Sequence, residues 1–563
     1  MAPNPPTLVA PRETRGAPRS YVQKMSPLIL AASAIALAVA VPLLVVGAAW
    51  RHPASAVWRH LWDTQLAGLI VNTLGLAAAV GAGTLVIGTG LAWLVVAYRF
   101  PGRRVFEWAL VLPLAVPAYV IGFAFLGLLD FSGPVQSALR RALGDGFRLP
   151  ELRSGWGVAL VMTLVFYPYV YLLARSAFRE HGLATLETAR SLGHSRRRAF
   201  FETVLPMARP SLVAGVSLAM MESLADFGTV STFSYRTLTE AIYRVWNGMF
   251  DRVAATQLAS LLLFLALALL VLERALRGRR RFTQSHRRGG GVASVRLRGW
   301  RARVATGACL AILVFAFVLP VGQLLLWAGE LVGGARVPRN FLGLLGSTFA
   351  LAGGAALSIC VLGLILAYAV RLHPSPGARF IAQFSSMGYA LPGAVIAVGV
   401  LAPIAWLDGV LSDVVQLVLG RPLDLLLTGS AVAVLFAYAV RFLAVGYQTI
   451  DAGLARIPVS FDEAARSLGV RLGGTLRRVH LPLMRGGLLT AAILVWVETM
   501  KELPATLLLR PLGLKTLAIE VWELTSESRW AEAALPAIAI VLVGLFPLML
   551  TTHLTTGPAR GPE

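Results

Sequence analysis

Glu187-Thr188-Ala189-Arg190-Ser191-Leu192-Gly193 recurs as Glu463-Ala464-Ala465-Arg466-Ser467-Leu468-Gly469. Each copy is followed, at one common interval, by a Leu-Pro pair: Leu205-Pro206 and Leu481-Pro482. Between and around these polar segments the chain is apolar, in blocks such as residues 27–50 and 254–272. A helix of about 20 such residues crosses the hydrocarbon of a bilayer. The repeat therefore reads as a polar loop duplicated within a membrane protein, a docking surface used twice by a two-fold partner.

Composition supports the membrane reading. Of 563 residues, 57% are hydrophobic and 14% charged, where a soluble domain carries about 25% charged residues. The fold class expected is an all-α polytopic membrane protein of about twelve transmembrane helices. The spans fall near 27–49, 66–98, 106–129, 156–175, 208–231 and 254–273, then 304–328, 344–370, 381–407, 427–444, 487–510 and 532–554. The first apolar run follows Arg12, Arg15, Arg19 and Lys24 and is too long for a signal-peptide core, so it reads as an uncleaved span.

The formal net charge of +23 does not imply a nucleic-acid partner, because the arginines cluster between apolar blocks as a topology signal does. With the N-terminus in the cytoplasm, Arg99, Arg103 and Arg104 fall inside, as do Arg371, Arg441, Arg466, Arg477 and Arg478. Eleven arginines between Arg274 and Arg303 join them. The 50–65 and 408–426 loops, with two arginines and one, fall outside; 130–155 is less clean. Both termini and both repeated segments are thereby expected in the cytoplasm, in a multi-pass membrane protein.

The halves match beyond the repeat. Asn72-Thr73 aligns with Ser347-Thr348, Pro117 with Pro392, and Glu222 with Glu498. Six spans per half is an even number, so the repeats share one orientation. The expected organisation is a basic N-terminus over 1–26, a first membrane domain over 27–277, an Arg/Gly-rich linker over 278–303, a second membrane domain over 304–555 and a tail over 556–563.

Each repeated segment is expected to fold as two short helices. Ser460 or Asp462 would start the first helix, and Gly469 would stop it in a left-handed conformation. Residues 472–480 would form the second, and Leu481-Pro482 would turn the chain back into the membrane. Glu463 and Arg466 are spaced to pair on one face. Ala464 and Ala465 would let a partner approach closely, and Leu192 and Leu468 would fill apolar slots on it.

Ionisable groups inside a bilayer face protein or water. Glu222 and Asp226, with Glu498, Lys501 and Glu502 at the matching place, are the candidates for a pathway or gate; Lys501 instead pairing two helices is the structural alternative. Pro117 and Pro392 lie within spans and are expected to kink them. Tyr119, Tyr167, Tyr169 and Tyr171 are not assigned to an ion site, since aromatic residues also enrich membrane interfaces. The two cysteines and scattered histidines give no metal-ligand spacing, with His194 and His480 expected in cytoplasmic loops, and any metal site is left open. Gly513-Leu514-Lys515-Thr516 is the nearest fragment to a phosphate-binding loop and lacks the preceding glycines.

The Glu-x-Ala-x-x-x-Gly pattern with its distant Leu-Pro resembles the "EAA loop" of permease subunits of ATP-binding-cassette importers. The second copy matches fully; in the first, Thr188 replaces an alanine. The resemblance implies that Glu187, Ala189, Gly193 and Pro206, with Glu463, Ala464, Ala465, Gly469 and Pro482, carry the coupling helices that dock on an ATPase. Met500-Lys501-Glu502-Leu503-Pro504 through Arg510-Pro511, together with Asp226-Phe227-Gly228, is similar to fused permeases for ferric iron, thiamine and 2-aminoethylphosphonate, most closely the ferric-iron type. The resemblance further implies two copies of a cytoplasmic ATPase holding ATP and Mg, none of these cofactors in this chain, and an extracytoplasmic solute-binding protein. A small solute or ferric ion would be the cargo. An ion-driven secondary transporter explains the carboxylates and the repeat of six spans but not the duplicated loops.

Overall fold

The computed structural model describes residues 27–53, 55–277, 295–334, 337–420 and 426–555. The expected N-terminal segment, most of the linker and the tail lie outside the described residues. Twelve helices among them are long and apolar enough to cross a membrane. They are α1 (Pro27–Gly47), α2 (Leu66–Ala97), α3 (Ala118–Leu143, interrupted at 130–133), α4 (Gly155–Glu180), α5 (Arg196–Ala225) and α6 (Arg252–Arg277). The second half supplies α7 (Trp300–Gly333), α8 (Phe341–Leu372), α9 (Gly393–Val418), α10 (Ala431–Ala455), α11 (Leu472–Met500) and α12 (Trp530–Pro547). A helix satisfies its own backbone polar groups, which is why apolar blocks of this length adopt it. The two repeated segments follow α4 and α10, the fourth and tenth of these spans.

At 32 residues each, α2 and α8 extend roughly 48 Å, well beyond the hydrocarbon thickness. Each is pinned near its start by a threonine. Thr73 Oγ1 accepts from Leu238 N at 3.0 Å, and Thr348 Oγ1 accepts from Leu517 N at 2.9 Å. The neighbours of the two threonines act alike: Asn72 donates to Arg236 O and Ser347 to Lys515 O.

In the first half α2, α4 and α5 pack on one another; in the second, α8, α10 and α11 do the same. The outer helices cross over. The first span, α1, packs on α8 and α9, while α7 packs on α3 and α12. One apolar core accordingly joins Val95, Tyr119, Val165 and Leu212 to Cys309, Leu324 and Ala537. The other joins Val39 and Leu262 to Ile359, Val395 and Ala437. The cores do not follow the boundary between 27–277 and 304–555.

This exchange relies on close approach. A Cβ on Gly399 would run into the carbonyl of Pro42 on α1. Gly399→Val is expected to detach α1 and lower the thermal midpoint of the solubilised protein by several degrees, read by unfolding in detergent; the same change at Gly409, where a Cβ meets open space, should leave it unchanged.

Leu481-Pro482 does not turn the chain, contrary to expectation. The helix runs on through it, from Leu472 to Met500. A π-helical turn, Leu476–His480, comes immediately before. The same arrangement precedes Leu205-Pro206 (Phe200–Val204) and Leu319-Pro320 (Val314–Val318). Proline has no N–H and its ring clashes with the preceding turn. A wider turn there absorbs both defects and keeps the helix continuous.

Candidate functional site

Both halves contribute to a cavity of about 120 Å³ at the seam between them. From the first half it is lined by Pro117, Tyr119, Tyr169, Glu222 and Asp226; from the second by Tyr389, Arg441, Glu498, Lys501 and Glu502. All five pathway candidates from the sequence therefore border one space. Pro117 and Pro392 are not kinks within helices. Each stands as the cap before a new helix, with φ −58° after a short 3-10 turn. Fixed φ and the missing N–H suit proline to a helix start, where no intrahelical partner is lost. The chain is broken there, and the break puts Tyr119 and Tyr389 beside the cavity.

Arg441 is the residue that sequence reading placed wrongly. It is not a cytoplasmic flank of a span; it lies within α10, its side chain only 12% exposed. Its Nη1 is 2.9 Å from both carboxylate oxygens of Glu502. Glu502 also accepts from Ala505 N at 3.1 Å. A side chain on Gly393, the residue after Pro392, would collide with this pair. The structural alternative for Lys501, a bond between two helices, falls instead to Arg441: Lys501 Nζ meets Glu498 Oε1 at 3.1 Å, three residues away on its own helix end.

On the first-half side, Asp226 caps the short helix Gly228–Thr232, accepting from Thr229 N at 2.7 Å and from Thr229 Oγ1 at 2.9 Å. Tyr389 OH donates to Glu222 Oε1 across the seam, at 3.5 Å. The four tyrosines divide. Tyr167 and Tyr171 donate to the carbonyls of Leu110 and Glu107 and are structural. Tyr119 and Tyr169 line the cavity, and the buried Tyr119 hydroxyl has no hydrogen-bond partner among the described residues.

Formal charge in the lining is uneven: four carboxylates stand against two cationic side chains. Among the described residues no three His, Cys, Asp or Glu side chains converge as metal ligands would. The seam is tied by Trp522 Nε1, which donates to Ser231 Oγ at 3.1 Å, and by the Phe227–Trp522 ring contact. The helix bearing Trp522 is held by Glu523. Burial disfavours its charged form, but hydrogen bonds from Lys515 and Arg510 outweigh this and keep its carboxyl below the usual range.

The two repeated segments have matched surfaces. In the helices Leu183–Ser191 and Ser460–Ser467, Glu187 and Glu463 are exposed, as are Thr188 and Ala464, while Ala189 and Ala465 turn inward. Leu192 is 76% and Leu468 80% exposed, an unusual position for leucine. Gly193 (φ +88°) and Gly469 (φ +72°) end the helices. Their closures coincide: Gly193 N donates to Arg190 O and His194 N to Ala189 O, as Gly469 N does to Arg466 O and Val470 N to Ala465 O. This is the paired hydrogen bonding of a glycine-terminated helix.

Two local expectations differ. Asp462 is not a cap, because it is turned inward to Arg371; Arg466 reaches back to the Asp462 carbonyl at 3.3 Å. His480 is fully buried rather than in a loop. Pro206 and Pro482 stand in the first turn beyond the π segments.

A family described as "binding-protein-dependent transport system inner membrane component" matches residues 84–281 and again 359–556. The chain is 28% identical to the Fe(3+)-transport system permease protein FbpB 2 of Haemophilus influenzae, over 87% of this chain and 90% of that one. It is 30% identical to the sulfate transport system permease protein CysT of Salmonella typhimurium, over 38% of this chain and 78% of that protein. The molybdenum transport system permease protein ModB of Escherichia coli is 28% identical, over 38% of this chain and 91% of its own.

Proposed function

Since the chain belongs to the binding-protein-dependent transport system inner membrane components, we propose that it is the permease subunit that forms the pathway of an ATP-driven importer of a cationic solute, with ferric iron as the cargo. Membership implies a cytoplasmic ATPase and an extracytoplasmic solute-binding partner. In this reading the chain is two tandem six-helix repeats of one orientation with both termini in the cytoplasm. Its two glycine-ended segments are the coupling helices, each docked on one of two ATPase subunits. Closure of the ATPase pair on ATP moves both, and the spans above alternate between inward- and outward-facing states. A binding protein loaded with cargo shifts that balance only through different affinities for the two states.

The observation that carries the cargo class is the excess of carboxylates around the cavity. Two unit charges 4 Å apart interact by about 4 kcal/mol at an effective dielectric constant of 20. A cation gains from that field and an oxyanion such as sulfate or molybdate is repelled by it. FbpB 2, similar over 87% of this chain, is named for ferric iron, whereas CysT and ModB, named for oxyanions, match 38% of it. Thiamine, also cationic, is the second cargo that the cavity favours, its aromatic lining adding stacking faces; 2-aminoethylphosphonate brings a phosphonate and is disfavoured. The acids attract a cation without enclosing it in a chelating cage, which suits passage over retention.

The test is reconstitution in vesicles with the ATPase and binding protein, followed by uptake of ferric iron, thiamine, 2-aminoethylphosphonate and sulfate. Ferric iron uptake dependent on ATP is expected. Glu222→Gln with Asp226→Asn should cut it by roughly tenfold or more, the effect of about 1.4 kcal/mol of lost attraction. Uptake by the chain alone on an ion gradient would overturn the ATP-driven reading, and sulfate uptake in place of cations would overturn the cargo class.

A further inference from the structure

The two docking segments share a surface but not a foundation. Beneath Ser460–Ser467 lies a buried polar network. Arg371, near the end of α8, donates to Asp462 Oδ2 through Nε at 3.0 Å and Nη2 at 2.7 Å. The same guanidinium donates to the carbonyls of Leu454 at 2.7 Å and Ile457 at 3.0 Å, gathering the end of α10 as well. His480, the last residue of the π turn within α11, places Nε2 3.1 Å from Asp462 Oδ1, a close contact that is not a well-aligned hydrogen bond. Its Nδ1 bonds to the hydroxyl of Tyr368. Side-chain exposure is 10% for Arg371, 7% for Asp462 and 0% for His480.

At the positions that match these four side chains, the first copy carries apolar ones. Leu186 precedes Glu187 as Asp462 precedes Glu463, and Val204 precedes Leu205-Pro206 as His480 precedes Leu481-Pro482. Counted from Thr73 as Arg371 and Tyr368 are from Thr348, the remaining two positions are Val96 and Trp93. Leu186, Val204 and Val96 are buried in one apolar cluster on which Trp93 packs. Trp93 also meets Phe178 and Phe200 with ring centroids 5.3 Å and 4.6 Å apart.

We propose that the two coupling helices are mechanically unequal, and that Arg371, Asp462 and His480 are positioning residues that make the second one the stiff handle. This rests on the coupling reading above. Hydrogen bonds to charged groups are directional and hold one register, so displacement of Ser460–Ser467 carries α8, α10 and α11 with it. Apolar contact is non-directional, so Leu183–Ser191 can slide on its bed by a fraction of an ångström before α2 and α5 follow. Two identical ATPase subunits would therefore drive one half of the pathway more tightly than the other.

The test transplants the first foundation under the second helix: Tyr368→Trp, Arg371→Val, Asp462→Leu and His480→Val together. Replacing a whole buried polar set by apolar groups of fitting size is often neutral for stability, so the variant should insert and co-purify with the ATPase. In vesicles containing the complete complex, the ratio of ATP hydrolysed to cargo imported is expected to rise roughly fivefold or more, the lower bound of ordinary inter-site coupling. Leu186→Ala, which loosens the first foundation, should raise it much less. If the transplanted variant fails to assemble, Asp462→Asn is read in its place, with Asp462→Glu expected to restore part of the coupling. An unchanged ratio in the variant that assembles, or an equal rise for Leu186→Ala, overturns the inference. Failure of the unmodified chain to bind the ATPase overturns the coupling reading instead.

Discussion

Arg441→Met is expected to destabilise the protein by about 3–5 kcal/mol, the cost of leaving one member of a buried ion pair uncompensated. Glu502, 5% exposed, would keep its backbone donor Ala505 N but lose the guanidinium held 2.9 Å away. Removing both charges should behave differently. Arg441→Met with Glu502→Gln leaves no isolated charge and should recover most of the loss, because the desolvation penalty disappears with the attraction. Unfolding midpoints in lipid nanodiscs, compared for the two single variants and the double, measure the coupling directly. Additive losses would show that the two side chains do not depend on each other. The same pair joins α10 to the segment after α11, so the single variant should also lose uptake at temperatures where it remains folded.

The second large effect is expected at the helix ends of the repeated segments. Gly193 and Gly469 have positive φ, and a Cβ at either would meet nothing within 4 Å. Any penalty for substitution is therefore backbone strain, about 1–2 kcal/mol per residue for the left-handed conformation. Valine at both positions should open the closing hydrogen bonds from Gly193 N, His194 N, Gly469 N and Val470 N. The exposed Leu192 and Leu468 would then swing away from their present positions. Uptake in vesicles is expected to fall by roughly tenfold or more, with membrane insertion unchanged, since neither glycine packs against a span. Asparagine, which tolerates positive φ, should retain most of the uptake at the same sites. Normal uptake with valine at both would remove the glycine ends from any part in coupling.

Span count and the polar repeat were legible because both are written along one dimension. Apolar length marks a helix that can cross a bilayer, and Gly193 and Gly469 mark where a short helix stops. Glu222, Asp226, Glu498, Lys501 and Glu502 were also legible, since a carboxylate or ammonium in an apolar block is costly enough to announce itself. Arg441 carried the same signal and was absorbed into a count of arginines at span ends. Tyr389 carried none, because a tyrosine near a proline has no preferred partner until tertiary packing brings its hydroxyl to Glu222. Leu481-Pro482 read as a turn because proline usually ends a helix; the π turn before it, which needs no particular side chain, kept the helix whole.

The linear order of residues decided that the chain holds about twelve apolar helices long enough to cross a membrane, interrupted by two matched polar segments. It could not decide which helix lies beside which, because lipid-facing and helix-facing surfaces are equally apolar and association depends on fit between surfaces. The exchange of α1 and α7 between cores, set by contacts such as Gly399 against Pro42, belongs to the tertiary structure. So do the Arg441–Glu502 pair and the network beneath Asp462, whose members stand 61 and 91 residues apart in the chain. Charges that distant find each other only after the helices between them have packed, and their worth is fixed by burial that no local pattern records.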